Sequence, residues 1–332
     1  MGSCLNSVGM FNTNQTKVRG RYAPSPTGYL HLGNARTALV AYWHTKSQDG
    51  TFVMRVEDLD SARSKPEMVN ANLDELRWLG LEWDEGPDVG GPYAPYVQSQ
   101  RHDFYKEALE KLRLKGHLFK CYLSRKDLRE TAAAPHGQML VYGKREREQN
   151  ERMREQKLRD GKSPSLRFRV EQVRVTFNDL LQGEQNQSIG DFIVKRSDGE
   201  WAYQLAVVAD DIAMGISEVV RGDDLLQSTA AQLLLYRALG AKPPTFLHVP
   251  LLLDGTGERM AKRKGSLTLT SLKEGGAQPQ RVVGLLAHTL GLIPEPAALS
   301  VEQGLELYSK DLLKTSPAPL GEPLQNWLFE KI

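Results

Sequence analysis

The sequence predicts an α/β fold: a doubly wound parallel sheet, split by an α+β insertion and followed by a helical appendix. Three observations predict it. Short β-branched or aromatic runs alternate with helix-patterned segments up to about residue 99 and again after about residue 200. Between them the rhythm stops for about a hundred residues, a length typical of a small domain. Beyond about residue 256 helical patterning dominates. The expected organisation is a polar tail over 1–17, a core over 18–99 and 201–255, an insertion over 100–200, and a basic loop with helices over 256–332.

Each element follows from local chemistry. "VRGRYAPS" reads as a short strand running into a turn, and "GNARTALVAYWHTKS" as the next helix, with Ala38, Leu39, Tyr42 and Trp43 on one face. Thr51 to Val56 is a second strand ending in acids. "KPEMVNANLDELRWLG" is a helix with Pro66 near its start and Gly80 at its end. Asp60 is expected to cap that helix in preference to binding metal with Asp58. "QRHDFYKEALEKLRLKG" is amphipathic, and "KREREQNERMREQKLRDGK" reads as a solvated helix held by i,i+4 ion pairs rather than as a nucleic-acid contact. "SLRFRV" and "VTFNDLL" read as strands, and "FIVKRSDGEWAYQLAVV" as a hairpin turning at Asp198-Gly199. Then "ISEVVRG", "DLLQSTAAQLLLYRALG" and "TFLHVPLLLD" restore strand, helix, strand.

Composition excludes several classes. The formal charge of +2 over 332 residues leaves nucleic-acid binding to local patches. Cys4 and Cys121 are the only cysteines, so no disulfide framework exists and a reducing, cytoplasmic setting is expected. No apolar run approaches the roughly 20 residues that cross a bilayer. The N-terminal residues make a poor signal peptide, and Asn6 stands where a myristoylation motif wants Ser or Thr. With no long exposed apolar stripe, a monomer is expected.

The first turn, "RYAPSPTGYLHLGN", carries chemistry. A helix start after a strand presents N–H groups to anions, Gly28 and Gly33 let phosphate approach the backbone, and His31 and Asn34 add side-chain donors. Neither a Walker loop nor a dinucleotide fingerprint is present. "RMAKRKGS", 259 to 266, follows the last sheet strand, and Lys262 there can meet a triphosphate as a point charge. Together the two segments bracket a nucleotide at the carboxyl edge of a parallel sheet. Taken singly, each also suits a surface or capping role.

"RYAPSPTGYLHLGN", "RVEDLD", "AYQLAVVADD", "VVRGDDLL" and "RMAKRKGS" resemble, in order and spacing, the catalytic core of class I glutamyl-tRNA synthetases, from about residue 18 to 295. "HLGN" stands for that class's HIGH signature and "MAKRK" for its KMSKS loop. The resemblance implies a Rossmann-like sheet, ATP with Mg²⁺, and L-glutamate as the amino acid. It implies glutamate contacts from Arg21, Tyr22, Ala23, Pro24, Ser25, Glu57, Tyr203 and Arg221, and ATP contacts from His31, Gly33, Asn34 and Lys262. His31, Asn34 and Lys262 take the catalytic roles on the phosphates. The chemistry agrees: guanidinium groups suit two carboxylates, and Glu57 suits an ammonium. Arg221 serves equally well to pair with a neighbour such as Asp223.

The acceptor is read from departures. The chain ends soon after "GLIPEPAALSVEQGLELYSKDLL", where full-length relatives continue into a helical anticodon-binding part. Leu59 and Leu225 stand where those relatives usually carry Thr and Trp. "SRKDLRETAAAPHGQMLVYG" is also similar to the insertion of the family's truncated paralogues. These paralogues transfer glutamate to queuosine, the modified wobble base of tRNA(Asp), so the anticodon stem-loop of tRNA(Asp) is the expected partner. A compact synthetase charging a tRNA 3′ end, and a non-catalytic tRNA-binding relative, are the alternatives. Arg263 and Lys264 look more like the full-length enzymes. Arg125, Lys126 and the basic residues of 144–159 are candidate phosphate contacts. The paralogues often hold zinc. Here Cys121 and Tyr142 remain of that site, while Leu123 and Glu146 occupy two ligand positions. One thiolate and a phenol do not close a tetrahedral site, and His136 is expected to be solvated, so zinc is expected to be absent.

Overall fold

Proline and glycine set where the elements start and stop. The computed structural model describes residues 17–124, 127, 142–171, 174–255, 257–258 and 267–329. Strand β1 (Arg19–Tyr22) ends at the proline-rich turn, and helix α1 (Leu32–Lys46) begins after His31. Strand β2 (Thr51–Met54) lies parallel to β1, from Arg19 against Thr51 to Tyr22 against Met54. It stops short of Val56, which bridges to Val97 instead. Helix α2 (Pro66–Leu79) has proline in its first turn and closes on Gly80 at φ 101°, a left-handed cap that a Cβ would strain. Asp60 does not cap α2. Pro66 fixes the helix start and makes Lys65 the cap residue, so Asp60 instead closes a turn and holds Arg63 Nε at 2.6 Å. Asp58 holds the Ser99 amide and hydroxyl.

Helix α1 departs from its expected single apolar face. Besides Ala38, Leu39 and Trp43 it buries Leu32, Ala35, Arg36, Val40, Ala41 and His44. Such a helix lies between two layers. The sheet covers one side and the C-terminal helices cover the other.

Helix α3 (His102–Leu114) buries Tyr105, Ala108 and Leu112, as its pattern predicts. Strand β3 (Leu118–Cys121), helix α4 (Lys144–Arg159) and strand β4 (Ser165–Phe168) follow. Next come β5 (Arg174–Asp179), β6 (Gly183–Ser188) and β7 (Phe192–Lys195). Strands β3, β4 and β7 form a separate antiparallel sheet. The β5–β6 hairpin, expected inside the insertion, belongs to the main sheet: Asp179 pairs in parallel with Phe246. The buried faces of Val175 and Phe246 share one apolar cluster, which draws the hairpin in.

Asp198-Gly199 does turn, and Lys195 bridges to Trp201 across it. The second strand expected there is a helix, α5 (Tyr203–Ala213). Leu205, Ala206, Val208 and Ala209 are buried with Tyr105 of α3 and Leu235 of the next helix, and that tertiary burial outweighs the β preference of the valines.

Strand β8 (Glu218–Gly222), a 3-10 turn (Asp223–Ser228), helix α6 (Thr229–Leu239), β9 (Thr245–Val249) and β10 (Leu252–Leu253) complete the core. The main sheet runs β2-β1-β8-β9-β5-β6, parallel throughout except for the last hairpin strand. Strand order reverses between β1 and β8, where parallel α/β sheets open a crevice at their carboxyl ends.

The C-terminal part comprises α7 (Leu269–Glu274), α8 (Pro279–Leu290), α9 (Val301–Leu307), strand β11 (Ala318–Pro319) and α10 (Glu322–Trp327). It is no appendix. Leu269, Leu286, Leu290, Leu320 and Leu328 lie in one cluster with Leu39, Trp43 and Phe52. Trp43 Nε1 donates to Val301 O at 2.8 Å, and a Cβ on Gly304 would sit 2.3 Å from the Trp43 ring. Arg36, buried in α1, donates to Pro250 O and Thr289 O. No helix among the described residues is long and apolar enough to cross a membrane.

Candidate active site

A cleft of about 540 Å³ opens at the carboxyl ends of β1 and β8. Arg21, Tyr22, Ala23, Pro24, Ser25, His31, Gly33, Asn34, Glu57, Tyr203 and Arg221 all line it. The structure therefore brings together every glutamate and ATP candidate that falls within the described residues. Lys262, with Arg263 and Lys264, lies outside them, as do Arg125, Lys126, His136 and Cys4.

The two arginines expected to bind carboxylates differ in their partners. Arg21 faces Asp211 through Nε at 3.3 Å and Nη2 at 3.4 Å. Arg221, 4% exposed, meets only uncharged hydrogen-bond partners. Its Nε donates to His248 Nε2 at 3.0 Å, Nη1 to Gln232 Oε1 at 2.8 Å, and Nη2 to Thr229 Oγ1 at 3.0 Å and Leu225 O at 3.4 Å. Burial lowers its affinity for its proton, because no carboxylate touches it to repay desolvation. The alternative partner, Asp223, is not among these contacts. A buried cation in a neutral cage is prepared for an incoming anion.

Glu57 and Tyr203 border the same space. Burial raises the Glu57 carboxyl above its ordinary range, although Arg55 and Arg21 oppose the shift; Arg55 Nη2 lies 3.2 Å from Glu57 Oε1. Burial also raises the Tyr203 phenol, so its hydroxyl remains a donor at neutral pH.

At the helix start the expectation needs correcting. His31 Nδ1 accepts from the Gly33 and Asn34 amides at 3.1 and 3.3 Å, while Asn34 Oδ1 accepts from the His31 amide. The Leu32 amide donates to Leu267 O and the Ala35 amide to His31 O. The first N–H groups of α1 are thus already paired. Acceptance at Nδ1 places the imidazole proton on Nε2. A Cβ on Gly33 would come 2.9 Å from His31 Cε1, so Gly33 keeps room for this ring.

Several site residues were missed from sequence. Arg55 and Asp211 meet at 2.7 Å across 156 positions. Asp210 binds Arg101 Nε at 2.6 Å, Gln98 and Tyr105. His248 and Asp179 stand behind Arg221. Glu75 of α2 accepts from the Leu30 amide and from the Thr270 amide and hydroxyl, joining the first turn to α7. Arg55 and Asp211 sit inside the motifs "RVEDLD" and "AYQLAVVADD", and that was their only available signal.

Cys121 Sγ lies 3.4 Å from Tyr142 Oη, which also bonds Glu146 O. Leu123 is buried beside them, and Glu146 Oε2 accepts from the Gly143 amide at the start of α4. Among the described residues no group of three His, Cys, Asp or Glu is placed to hold a metal ion. Leu225 lines the cleft, and Leu59 packs on the cluster around α3 and α5.

Residues 17–305 match the family described as tRNA synthetases class I (E and Q), catalytic domain. The chain is 46% identical over 312 residues to a glutamyl-Q tRNA(Asp) synthetase of Symbiobacterium thermophilum, covering 92% of this chain and 96% of that one. It is 39% identical over 320 residues to a glutamate–tRNA ligase of Sulfurihydrogenibium sp., covering 93% of this chain and 66% of the ligase. A crystal structure of a glutamate tRNA ligase from Elizabethkingia meningosepticum, in complex with its amino acid, superposes with a TM-score of 0.81 at 28% identity, covering 94% of this chain and 68% of that one.

Proposed function

Because the chain belongs to the class I family of glutamyl- and glutaminyl-tRNA synthetases, we propose that it activates L-glutamate with ATP and transfers the glutamyl group to the queuosine base of tRNA(Asp). The observation that carries the acceptor is the 46% identity, across 96% of its length, to a relative named for that tRNA. Leu225 in the cleft wall and Leu59 on the cluster around α3 and α5 support the same choice.

The cleft suits the first half-reaction. A carboxylate is already a nucleophile, so the glutamate α-carboxylate needs no general base to attack the α-phosphorus. Rate comes from positioning and from charge on the phosphates. Arg21 and Arg221 would receive the two carboxylates, Glu57 the ammonium, and Tyr203 would donate to a carboxylate oxygen. Ser25 and the Tyr22–Pro24 backbone would border the amino acid. His31, through Nε2–H, and Asn34 would meet the triphosphate beside Gly33, which leaves room for the His31 ring. Mg²⁺ would travel on the phosphates, which supply its hard oxygen ligands. Lys262 would neutralise the leaving pyrophosphate.

Transfer of labelled glutamate tests the acceptor. Label is expected on queuosine-bearing tRNA(Asp) and not on the same tRNA lacking queuosine. Label on tRNA(Glu) instead would make this a compact synthetase, and label on no tRNA would favour a binding protein. Lys262→Ala is expected to lower turnover in glutamate-dependent ATP–pyrophosphate exchange more than it raises the glutamate KM. The opposite split would give that loop another task.

Zinc is proposed to be absent from the insertion. The Cys121 thiol, the Tyr142 hydroxyl and Leu123 are packed against each other, and Glu146 serves the start of α4. Metal analysis of purified protein is expected to find no stoichiometric zinc; one ion per chain would overturn the proposal.

A further inference from the structure

The neutral cage of Arg221 has a charged anchor one residue further out. His248, fully buried, accepts from Arg221 Nε on its own Nε2 and places Nδ1 2.6 Å from Asp179 Oδ2. An arginine Nε–H can only donate, so the imidazole must offer a lone pair at Nε2 and carry its proton on Nδ1. That proton goes to Asp179. The other oxygen of Asp179 is also committed: Oδ1 accepts from the amides of Leu181 at 3.1 Å, Gln182 at 2.9 Å and His248 at 3.2 Å.

We propose that Asp179 and His248 are positioning residues: the relay Asp179–His248–Arg221 aims the guanidinium into the cleft while keeping its charge uncompensated for a substrate carboxylate. The proposal rests on the cleft being the glutamate site. A carboxylate placed directly on Arg221, as Asp211 is on Arg21, would compete with the substrate for the same donors. The imidazole ring spaces the anion away and still fixes the direction of Nε–H. Gln232 does the equivalent at Nη1, and its amide nitrogen is in turn held by Gln204 Oε1 at 2.9 Å. The relay also explains a function for the β5–β6 hairpin. Asp179 pairs β5 with β9, opposite Phe246, and its side chain also accepts from the His248 amide of β9, so one residue joins the edge of the hairpin to the ring that aims Arg221.

Three substitutions separate aiming from packing, each read by glutamate-dependent ATP–pyrophosphate exchange. Asp179→Asn keeps the shape. Because Oδ1 must remain an oxygen for three amides, the new amide nitrogen faces Nδ1 and drives the imidazole proton to Nε2, donor against donor with Arg221. The glutamate KM is expected to rise about tenfold, with the ATP KM within about twofold of wild type. His248→Asn keeps a donor towards Asp179 but no acceptor reaches Arg221, and the same glutamate-specific rise is expected. His248→Gln can place an amide oxygen near the lost Nε2 and is expected to recover most of it. Equal behaviour of the two His248 variants, or ATP and glutamate KM rising together, would overturn the relay. The ¹⁵N shifts of the wild-type His248 ring supply a readout independent of folding losses and of what the cleft binds. An Nδ1-protonated ring is expected, and an Nε2-protonated ring overturns the relay. A wild-type protein with the expected ring but no glutamate-dependent exchange would overturn the glutamate site, not the geometry behind Arg221.

Discussion

Arg221→Ala is expected to cut glutamate activation severely while leaving the protein folded. The substitution removes a guanidinium whose direct partners are all neutral, His248, Gln232, Thr229 and the Leu225 carbonyl, so no buried carboxylate is stranded. What is lost is the interaction with a substrate carboxylate. Truncating one partner of a buried charge pair costs about 2–5 kcal/mol. At about 1.4 kcal/mol per tenfold, kcat/KM for glutamate should fall by about 30- to 4000-fold. Arg221→Lys should recover only part of this, because an ammonium keeps the charge but loses the planar fork that the cage grips. Pyrophosphate exchange over a glutamate series, with a thermal melt of each variant, checks both. Near-normal kcat/KM in Arg221→Ala would remove this residue from the glutamate site.

Asp211→Asn carries the largest expected effect on stability. Its carboxylate is 3% exposed and stands between two buried guanidinium groups, Arg21 at 3.3 Å and Arg55 at 2.7 Å, with Tyr236 Oη at 3.5 Å. The amide keeps the shape and removes the charge, leaving two buried cations, of which Arg55 keeps Glu57 at 3.2 Å and Asp210 at 3.8 Å. Breaking a buried pair in this way costs about 3–5 kcal/mol. Urea unfolding should show that loss, and a change below about 1 kcal/mol would contradict it.

The pH dependence has a definite sign. Burial alone would raise the Asp211 carboxyl, but Arg21 and Arg55 outweigh it and hold it below its ordinary value. A depressed folded value means stability that is complete above the unfolded value, about 3.9, and lost as pH falls towards the folded one. Wild-type stability should therefore decline on acidification below about pH 4, and Asp211→Asn should remove part of that slope. Glu57 works in the opposite sense, since burial raises it, so its protonation relieves a cost as pH falls.

Local chemistry was legible where it was dense. The strand, turn and helix start of "RYAPSPTGYLHLGN" follow from its prolines and glycines, and the cleft residues lie where the parallel-sheet pattern puts them. What failed was decided by distant partners. The valines of α5 favour a strand locally, yet the segment is a helix because it is buried between α3 and α6. The amides at the start of α1 look ready for an anion, yet His31 and Leu267 O take them. Asp179 lies inside a segment that reads only as a strand, yet it pairs β5 with β9 and holds the ring of His248.

The sequence by itself determined the alternation of strands and helices, the family resemblance and the identity of the side chains that meet in the cleft, because periodicity and motif spacing are local properties of the chain. Only the tertiary structure decided which of those side chains are already neutralised. Arg21 and Arg221 look alike as residues at strand ends. One closes on Asp211 from 190 positions away and the other is caged by neutral groups, and that contrast exists only once the chain has brought β1, α5, β8 and β9 to one edge of the sheet.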